Sequence, residues 1–537
     1  MARSYRPVVR DQEFLLPPNM ADWLPSDHLV WFVLDVVAQL DTSGFHRSRR
    51  TGGVGRQGYD PDMLLGLLIY AYAVGQRSSR QIERLCVDHV AFRIASGDDA
   101  PDHTTIARFR ADHLDLCTDV FAQVLRLCAN AGMGRVGSIA IDGTKIAADA
   151  ARGANRSADT IRAEAARIAA EVVAEAGVVD AVEDHTEAAR RATGTSGRDD
   201  DLPPGFDERS GRAANIAKAL EELDRQDAEH ADQDQADAEQ IEAFLAGVEA
   251  GTIVGHRPPP GADLVRYHRA RIARCHQILA DLEGQRGPGV GPRRGDARKV
   301  LAAAEASLAR AEAAAADGSM DRRGRAARHR DERDARARAR GGTGRVVNTT
   351  DPDSRLMTHG NGGGSVQGYN AQIAVTDDHL IFGIHLSQDA NDTDCFLPTL
   401  ADAAVHAESL GWDIGTVLLD AGYFTEANIT AKGPDRLIAP GKNRELHATV
   451  RDSPVHGPPP TGLDPLDAMR HRLRDPANAQ LYKRRSATVE PVIGHLKDQT
   501  SLRRFFLRGL QAANAELHLA ATAINLNRLY NTRPAMP

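Results

Sequence analysis

A short apolar segment, Val136-Gly-Ser-Ile-Ala-Ile-Asp-Gly-Thr-Lys-Ile146, stands far from the other strand-like segments of this chain. It reads as a buried strand with Asp142 near its end. The next strand-like run starts at Tyr369. Residues 151–345 between them are rich in Ala, Glu, Asp and Arg. Ile161, Ala165, Ile168 and Val172 follow a 4, 3, 4 spacing, as in a helix seam. Ile216, Leu220 and Leu223 do so again, and Ile272 and Leu279 continue a third piece. A sheet in this chain must therefore draw strands from both sides of a long helical excursion. Leu202-Pro-Pro-Gly205 and Arg257-Pro-Pro-Pro-Gly261 interrupt the helices, and 194–205, 251–262 and 284–296 are expected to be unstructured.

Residues 1–135 read as helical. Asp60-Pro61 offers an N-cap and a first-turn proline to the run Met63-Leu-Leu-Gly-Leu-Leu-Ile-Tyr70. Ser78-Ser-Arg-Gln81 has capping-box spacing. Asp102-His-Thr-Thr-Ile-Ala-Arg-Phe-Arg110 opens a further short helix bearing Arg108 and Arg110. This pair of short helices is either a DNA-reading element or part of a plain bundle. Beyond the excursion, Tyr369–Thr376, a turn at Asp377-Asp378-His379 and Leu380–Leu386 predict a hairpin. A helix over 396–410, a strand over 416–419 ending at Asp420, a helix from about Glu426 and a strand over 436–439 follow. Residues 442–476 read as loop-rich, and two helices over 477–531 complete the pattern.

Composition narrows the chemistry. The net charge is -8, yet ten Lys/Arg face three acids between Arg470 and Arg508, and ten Arg face four acids between Asp321 and Arg345. Such stretches suit a polyanion, or are simply solvated surface. The five cysteines, Cys86, Cys117, Cys128, Cys275 and Cys395, form no Cys-x-x-Cys, so neither a zinc ribbon nor a disulfide framework is expected. The first residues resemble no secretion signal, and the longest apolar run, Met63–Val74, is too short to span a bilayer. A reducing cytoplasm is the expected setting, with no membrane partner. The stretch Gly360-Asn-Gly-Gly-Gly-Ser365 lacks the Lys-Ser/Thr of a phosphate-binding loop. His359, His385 and His495 lack metal-ligand spacing and are expected to be structural or to face DNA.

Three carboxylates carry the chemistry. Asp142 and Asp420 end apolar runs, and Glu490 lies in the basic segment Tyr482-Lys-Arg-Arg-Ser-Ala-Thr-Val-Glu-Pro-Val-Ile-Gly-His-Leu-Lys497. Acids on separate elements are what a protein needs to hold a pair of Mg²⁺ ions against a phosphodiester. Taken singly, an Asp before Gly is often only a turn residue, and Glu490 reads equally as a surface glutamate. Lys497, nearly two turns on, shares the helical face of Glu490. Pro491 predicts that the helix starts or kinks near Glu490, with Thr488 helping to cap it.

Five phrases in order, Ile141-Asp-Gly-Thr-Lys145, Asp351-Pro-Asp-Ser-Arg-Leu-Met357, Gln367-Gly-Tyr-Asn370, Asp420-Ala-Gly-Tyr-Phe424 and Val489-Glu-Pro-Val-Ile-Gly494, resemble bacterial insertion-sequence DDE transposases of the Tyr-Arg-Glu-Lys signature branch. The resemblance covers nearly the whole chain. It implies a mixed α/β, RNase H-like (integrase-type) core over 136–150 and 346–537, an N-terminal helical, DNA-binding domain over 1–135, and a helical insertion over 151–345. By position, Asp142, Asp420 and Glu490 match the catalytic, metal-binding acids. Tyr482, Arg485 and Lys497 match residues that contact DNA. The Arg485–Glu490 interval is one residue longer than usual, so Arg484 is the alternative signature arginine. The implied reaction is Mg²⁺-dependent cleavage at the ends of the element and 3′-hydroxyl strand transfer into target DNA. Two ions are implied, with Mn²⁺ able to substitute. The implied partners are double-stranded DNA, both terminal repeats and target, and a second copy of the chain. A domesticated derivative that binds DNA without cutting it is the alternative, and a general nuclease a further one.

Overall fold

A computed structural model describes residues 19–47, 58–168, 170, 206–254, 256–259, 261–287, 289–316, 346–358, 364–441 and 443–532. The chain divides into two units, Met1–Ala154 with Thr350–Pro537, and Asn155–Thr349. The Arg-rich 321–345 stretch, His359 and the first segment expected to be unstructured, 194–205, lie outside the described residues.

The first unit begins with helices α1 (Leu29–Val37), α2 (Ser43–Arg47), α3 (Pro61–Ala73), α4 (Ser79–Asp88), α5 (Val90–Ala95), α6 (His103–Asp112) and α7 (Leu114–Asn130). The Asp60 carboxylate accepts the Asp62 amide at 2.7 Å, and Pro61 opens α3. Ser78 is the N-cap of α4 but makes no side-chain capping bond. From Leu64 to Ala73 every residue of α3 is buried, so this helix needs cover all round. The C-terminal helix supplies part of that cover, and it is likewise buried at every residue from Ala515 to Leu526. The N-terminal helices therefore share one hydrophobic core with the sheet. Arg77 locks the arrangement. Its guanidinium donates to Glu516 and to the carbonyls of Ser501 and Arg504, and Glu516 also accepts the amides of Phe506 and Leu507.

The sheet contains β1 (Ser138–Ala147) and, past the second unit, four further strands paired into it from β5 (Ser365–Thr376), with β4 (Arg355–Thr358) completing the six. These are β6 (Ile381–Ser387), β7 (Thr416–Leu419) and β8 (Arg436–Ile438) beside β5 itself. β5 runs antiparallel to β1 on one side, and to β6 and β4 on the other. β7 and β8 continue the sheet parallel to β1. The order β6-β5-β1-β7-β8 is thus antiparallel on one flank and parallel on the other. β1 does not end at Asp142. It runs five residues further, because β5 pairs with it out to Ala147↔Gly368. Helices α11 (Phe396–Leu410) and α12 (Glu426–Thr430) fall between the later strands.

Residues 442–476, expected to be loop-rich, contain α13 (Asn443–Asp452) and α14 (Pro465–Arg474), the latter capped by Asp464 with Pro465 in its first turn. α15 (Pro476–Tyr482), α16 (Arg484–Asp498) and α17 (Leu510–Thr532) follow. Pro491 lies inside α16, and the break comes at Lys483 instead. The expected start near Glu490 is therefore wrong. Thr488 is no cap: it is buried, and its carbonyl meets His379 Nδ1 at 3.0 Å. The phrase Asp351–Met357 is a clasp. Asp351 accepts the Tyr369 hydroxyl and the Gly509 amide, and Asp353 accepts the Leu510 amide.

In the second unit, β2 (Asn155–Ser157) and β3 (Val346–Asn348) pair antiparallel. Helices α8 (Phe206–Ala250), α9 (Leu264–Asp281) and α10 (Val290–Ala316) make up most of its other described residues. Ile161, Ile216, Ala219, Leu223 and Val347 form one small core, and Leu245, Val248, Ala262 and Tyr267 another. Residues 290–296, inside a segment expected to be unstructured, are the first turns of α10.

Candidate active site

Strand register alone brings two of the three acids together. β1 and β7 are parallel, with Ser138 opposite Thr416, Ile139 opposite Val417 and Ala140 opposite Leu418. The offset of 278 carried forward sets Asp142 level with Asp420, the first residue past β7. Asp420 turns the chain: its carboxylate accepts the Gly422 amide at 2.8 Å. Asp142 accepts the Gly143 amide at 2.9 Å.

Arg485 sits between them. Its Nη2 is 2.8 Å from Asp142 Oδ2 and 3.7 Å from Asp420 Oδ2. Burial works against its charge, but Asp142 and Asp420 outweigh burial and raise its pKa. Burial pushes the Asp142 carboxyl up, Arg485 only partly offsets this, and the charges of Asp420 and Asp392 add to it, leaving it at about 6. The site thus holds more negative charge than one guanidinium neutralises.

Asp392 is a fourth acid here that sequence reasoning missed. Its Oδ1 accepts from Asn370 Nδ2 at 2.8 Å and from Gln372 Nε2 at 2.7 Å. The Tyr423 hydroxyl donates to Gln372 Oε1. The available signals were Gln367-Gly-Tyr-Asn370 and the polar run Ser387-Gln-Asp-Ala-Asn-Asp392, which follows a strand as Asp420 does.

The remaining residues divide by position. Tyr482 is buried and its hydroxyl donates to Leu419 O at 3.0 Å, fastening α15 to the strand that ends at Asp420. α16 packs over β1 and β5. Glu490 lies on its exposed side and makes no ion pair among the described residues. It is not brought into contact with the two aspartates. Lys497 is half-buried, its pKa lowered by burial and by Arg503, with Asp142 acting in the opposite direction. Arg484 is exposed and 3.4 Å from Asp377. Arg108 is exposed. Arg110 does not fit a DNA contact: it is 4% exposed, and its guanidinium donates to Tyr72, Ser79 and the Arg77 carbonyl. His385 and His495 are half-buried, with pKa values lowered first by burial.

Paired acids on adjacent parallel strands, Asp142 within β1 and Asp420 just past β7, with a basic helix packed across the sheet, define a class: metal-dependent enzymes that cut and join nucleic-acid backbones. Residues 18–112 match a family model described as a transposase domain (DUF772), and residues 320–526 match the transposase DDE domain. The chain belongs to the insertion-sequence DDE transposases, and its sheet is their RNase H-like catalytic core. No curated protein and no solved structure matches it. Enzymes of this family act on DNA and use divalent metal ions. Among the described residues no helix is long and apolar enough to cross a membrane.

Proposed function

We propose that Asp142, Asp420 and Glu490 are the catalytic acids of Mg²⁺-dependent cleavage and strand transfer at the ends of an insertion sequence. The observation that carries this reading is the β1–β7 register, which sets Asp142 beside Asp420. The donor set fits a hard cation: carboxylate oxygens, crowded and incompletely neutralised. Two Mg²⁺ ions, or Mn²⁺ in their place, would be held by Asp142, Asp420 and Glu490 and would supply an activated oxygen nucleophile and a stabilised leaving oxygen.

The protein's own groups set the geometry. Asp142 and Asp420 are fixed by neighbouring strands, and Tyr482 fastens the preceding helix to Leu419. Lys497 is seven residues past Glu490 on α16, half-buried and within range of the Asp142 charge, where a DNA phosphate can lie against it. Arg484 and Arg108 are exposed cations available to the backbone of the duplex. Water attacks the phosphorus at the element's end, and the bond to the 3′-oxygen breaks, leaving a 3′-hydroxyl and a 5′-phosphate. That hydroxyl then attacks a target phosphodiester and releases a target 3′-hydroxyl. The first step is a hydrolysis, and in the second one phosphoester bond forms for the one broken, so neither needs an external energy source. Joining two ends makes a dimer or larger assembly the working form, located with the DNA in the cytoplasm.

The test is a labelled duplex carrying the repeats that flank the gene, incubated with the full chain and Mg²⁺. Nicking at the end by wild type, lost in Asp420→Ala and Glu490→Ala, is the expected result. Binding without cutting in either Mg²⁺ or Mn²⁺ would replace it with the domesticated, DNA-binding reading.

A further inference from the structure

We propose that Asp392 is a positioning residue of this site, the peg that holds Gln372 and Asn370 of β5 against Gly143 and the Asp420 turn. The inference rests on the reading of Asp142 and Asp420 as metal-binding acids.

Four observations converge on it. Asp392 Oδ1 is occupied by two amide donors from one strand, Asn370 at 2.8 Å and Gln372 at 2.7 Å. Gln372 is opposite Gly143 in the β1–β5 register, next to Asp142 itself. A Cβ on Gly143 would lie 2.1 Å from Gln372 Nε2 and 2.6 Å from Asp392 Oδ1, so the absent side chain is what admits this pair. On the other side, a Cβ on Gly422 would lie 3.0 Å from Asp420 Oδ1 and 3.2 Å from Asp392 Oδ2. The Asp392 carboxylate therefore touches the backbone beside both acids. The neighbouring residue extends the link: Thr393 donates to the Gly422 carbonyl at 3.2 Å, and its own carbonyl accepts from Asn428 at 2.8 Å. Tyr423 completes the circuit through Gln372. Movement of Asp392 would release the β5 amides and the turn that aims Asp420. Groups that orient the holders of a metal are worth 10–100-fold in affinity in sites of this kind, about the range expected here.

Asparagine separates positioning from charge. Asp392→Asn keeps an Oδ1 that accepts both amides, whereas Asp392→Ala removes the acceptor. Mn²⁺ binding to the full chain, read by electron paramagnetic resonance without DNA, is the primary measurement. Asp392→Ala should weaken it roughly 10–100-fold, and Asp392→Asn should restore most of the loss. If Asp392→Ala does not fold, Gln372→Met tests the same link and should show the same loss. Where both fold, the double variant should lose no more than either single one. Wild-type Mn²⁺ affinity in Asp392→Ala overturns the proposal. So does an Asp392→Asn as weak as the alanine variant, because the carboxylate would then be a ligand in its own right. If wild type takes up no Mn²⁺ and Asp420→Ala is indistinguishable from it, the metal-site reading fails and this proposal with it. Loss of Mn²⁺ in Asp420→Ala alone leaves the parent reading standing and overturns the role of Asp392.

Discussion

Arg485 Nη2 lies 2.8 Å from Asp142 Oδ2, so without metal one guanidinium is the main counter-charge of the paired aspartates. Replacing Arg485 with Ala removes that charge and leaves both acids facing each other. Breaking a buried pair of this kind costs roughly 3–5 kcal/mol. The melting temperature in EDTA should fall accordingly, and Mg²⁺ should raise it by more than it raises that of wild type. An equal Mg²⁺ shift in the two proteins would mean that Arg485 does not hold the place of a cation.

The raised pKa of Asp142 sets a pH dependence. The unfolded chain releases this proton near 3.8 and the native state near 6, so between these values the native state binds more protons. Stability contributed by the protonated group is full below about pH 4 and lost as pH rises through about 6, by at most about 3 kcal/mol. Urea unfolding at pH 4 to 7 in EDTA should show this decline in wild type. It should be absent in Asp142→Asn.

Arg77 and Glu516 come from opposite ends of the sequence and are both almost fully enclosed. Arg77→Ala should cost roughly 3–5 kcal/mol, because Glu516 is left charged and without its cation. Glu516→Gln should cost less, since the amide oxygen still accepts from Phe506 and Leu507. Denaturant midpoints of the two variants give the order directly.

Two glycines should respond in opposite directions. A Cβ on Gly368 would stand 2.1 Å from the Ile146 carbonyl oxygen, backbone that cannot move without parting β1 from β5. Gly368→Ala should destabilise by about 1–3 kcal/mol. Gly494 is inside α16 with nothing within 4 Å of its missing Cβ. Gly494→Ala should stabilise by about 0.5–1 kcal/mol. Thermal melts of the pair test both statements.

Some elements were plain in the sequence because local chemistry decided them. The helix Phe396–Leu410 buries Phe396, Leu400, Ala403 and Ala407 at helical spacing, the strand Thr416–Leu419 buries Val417, Leu418 and Leu419, and both lie where those patterns put them. So does the hairpin, whose turn has Asp378 accepting the Thr376 hydroxyl. Proline misled at 491, where a helix already begun at Arg484 carries through a residue that cannot donate. Residues 442–476 looked irregular because their helices are short and largely polar. Arg110 read as a DNA contact because charge suggests surface, yet its partners, Tyr72, Ser79 and the Arg77 carbonyl, are distant in sequence. Asp392 was hidden for the same reason. Its significance lies in register, through Gln372 opposite Gly143, and no local pattern announces a cross-strand neighbour.

The split between β1 and β5 also places a clock on this protein. Ile139 pairs with Thr376 and Ala147 with Gly368. At about 5–20 residues per second, the ribosome needs roughly 10–50 s to make the chain between them. During that time β1, with Ile139, Ile141 and Ile146, waits as a strand lacking both of its neighbours. Each newly made copy therefore passes through an interval in which its central strand is open to wrong partners.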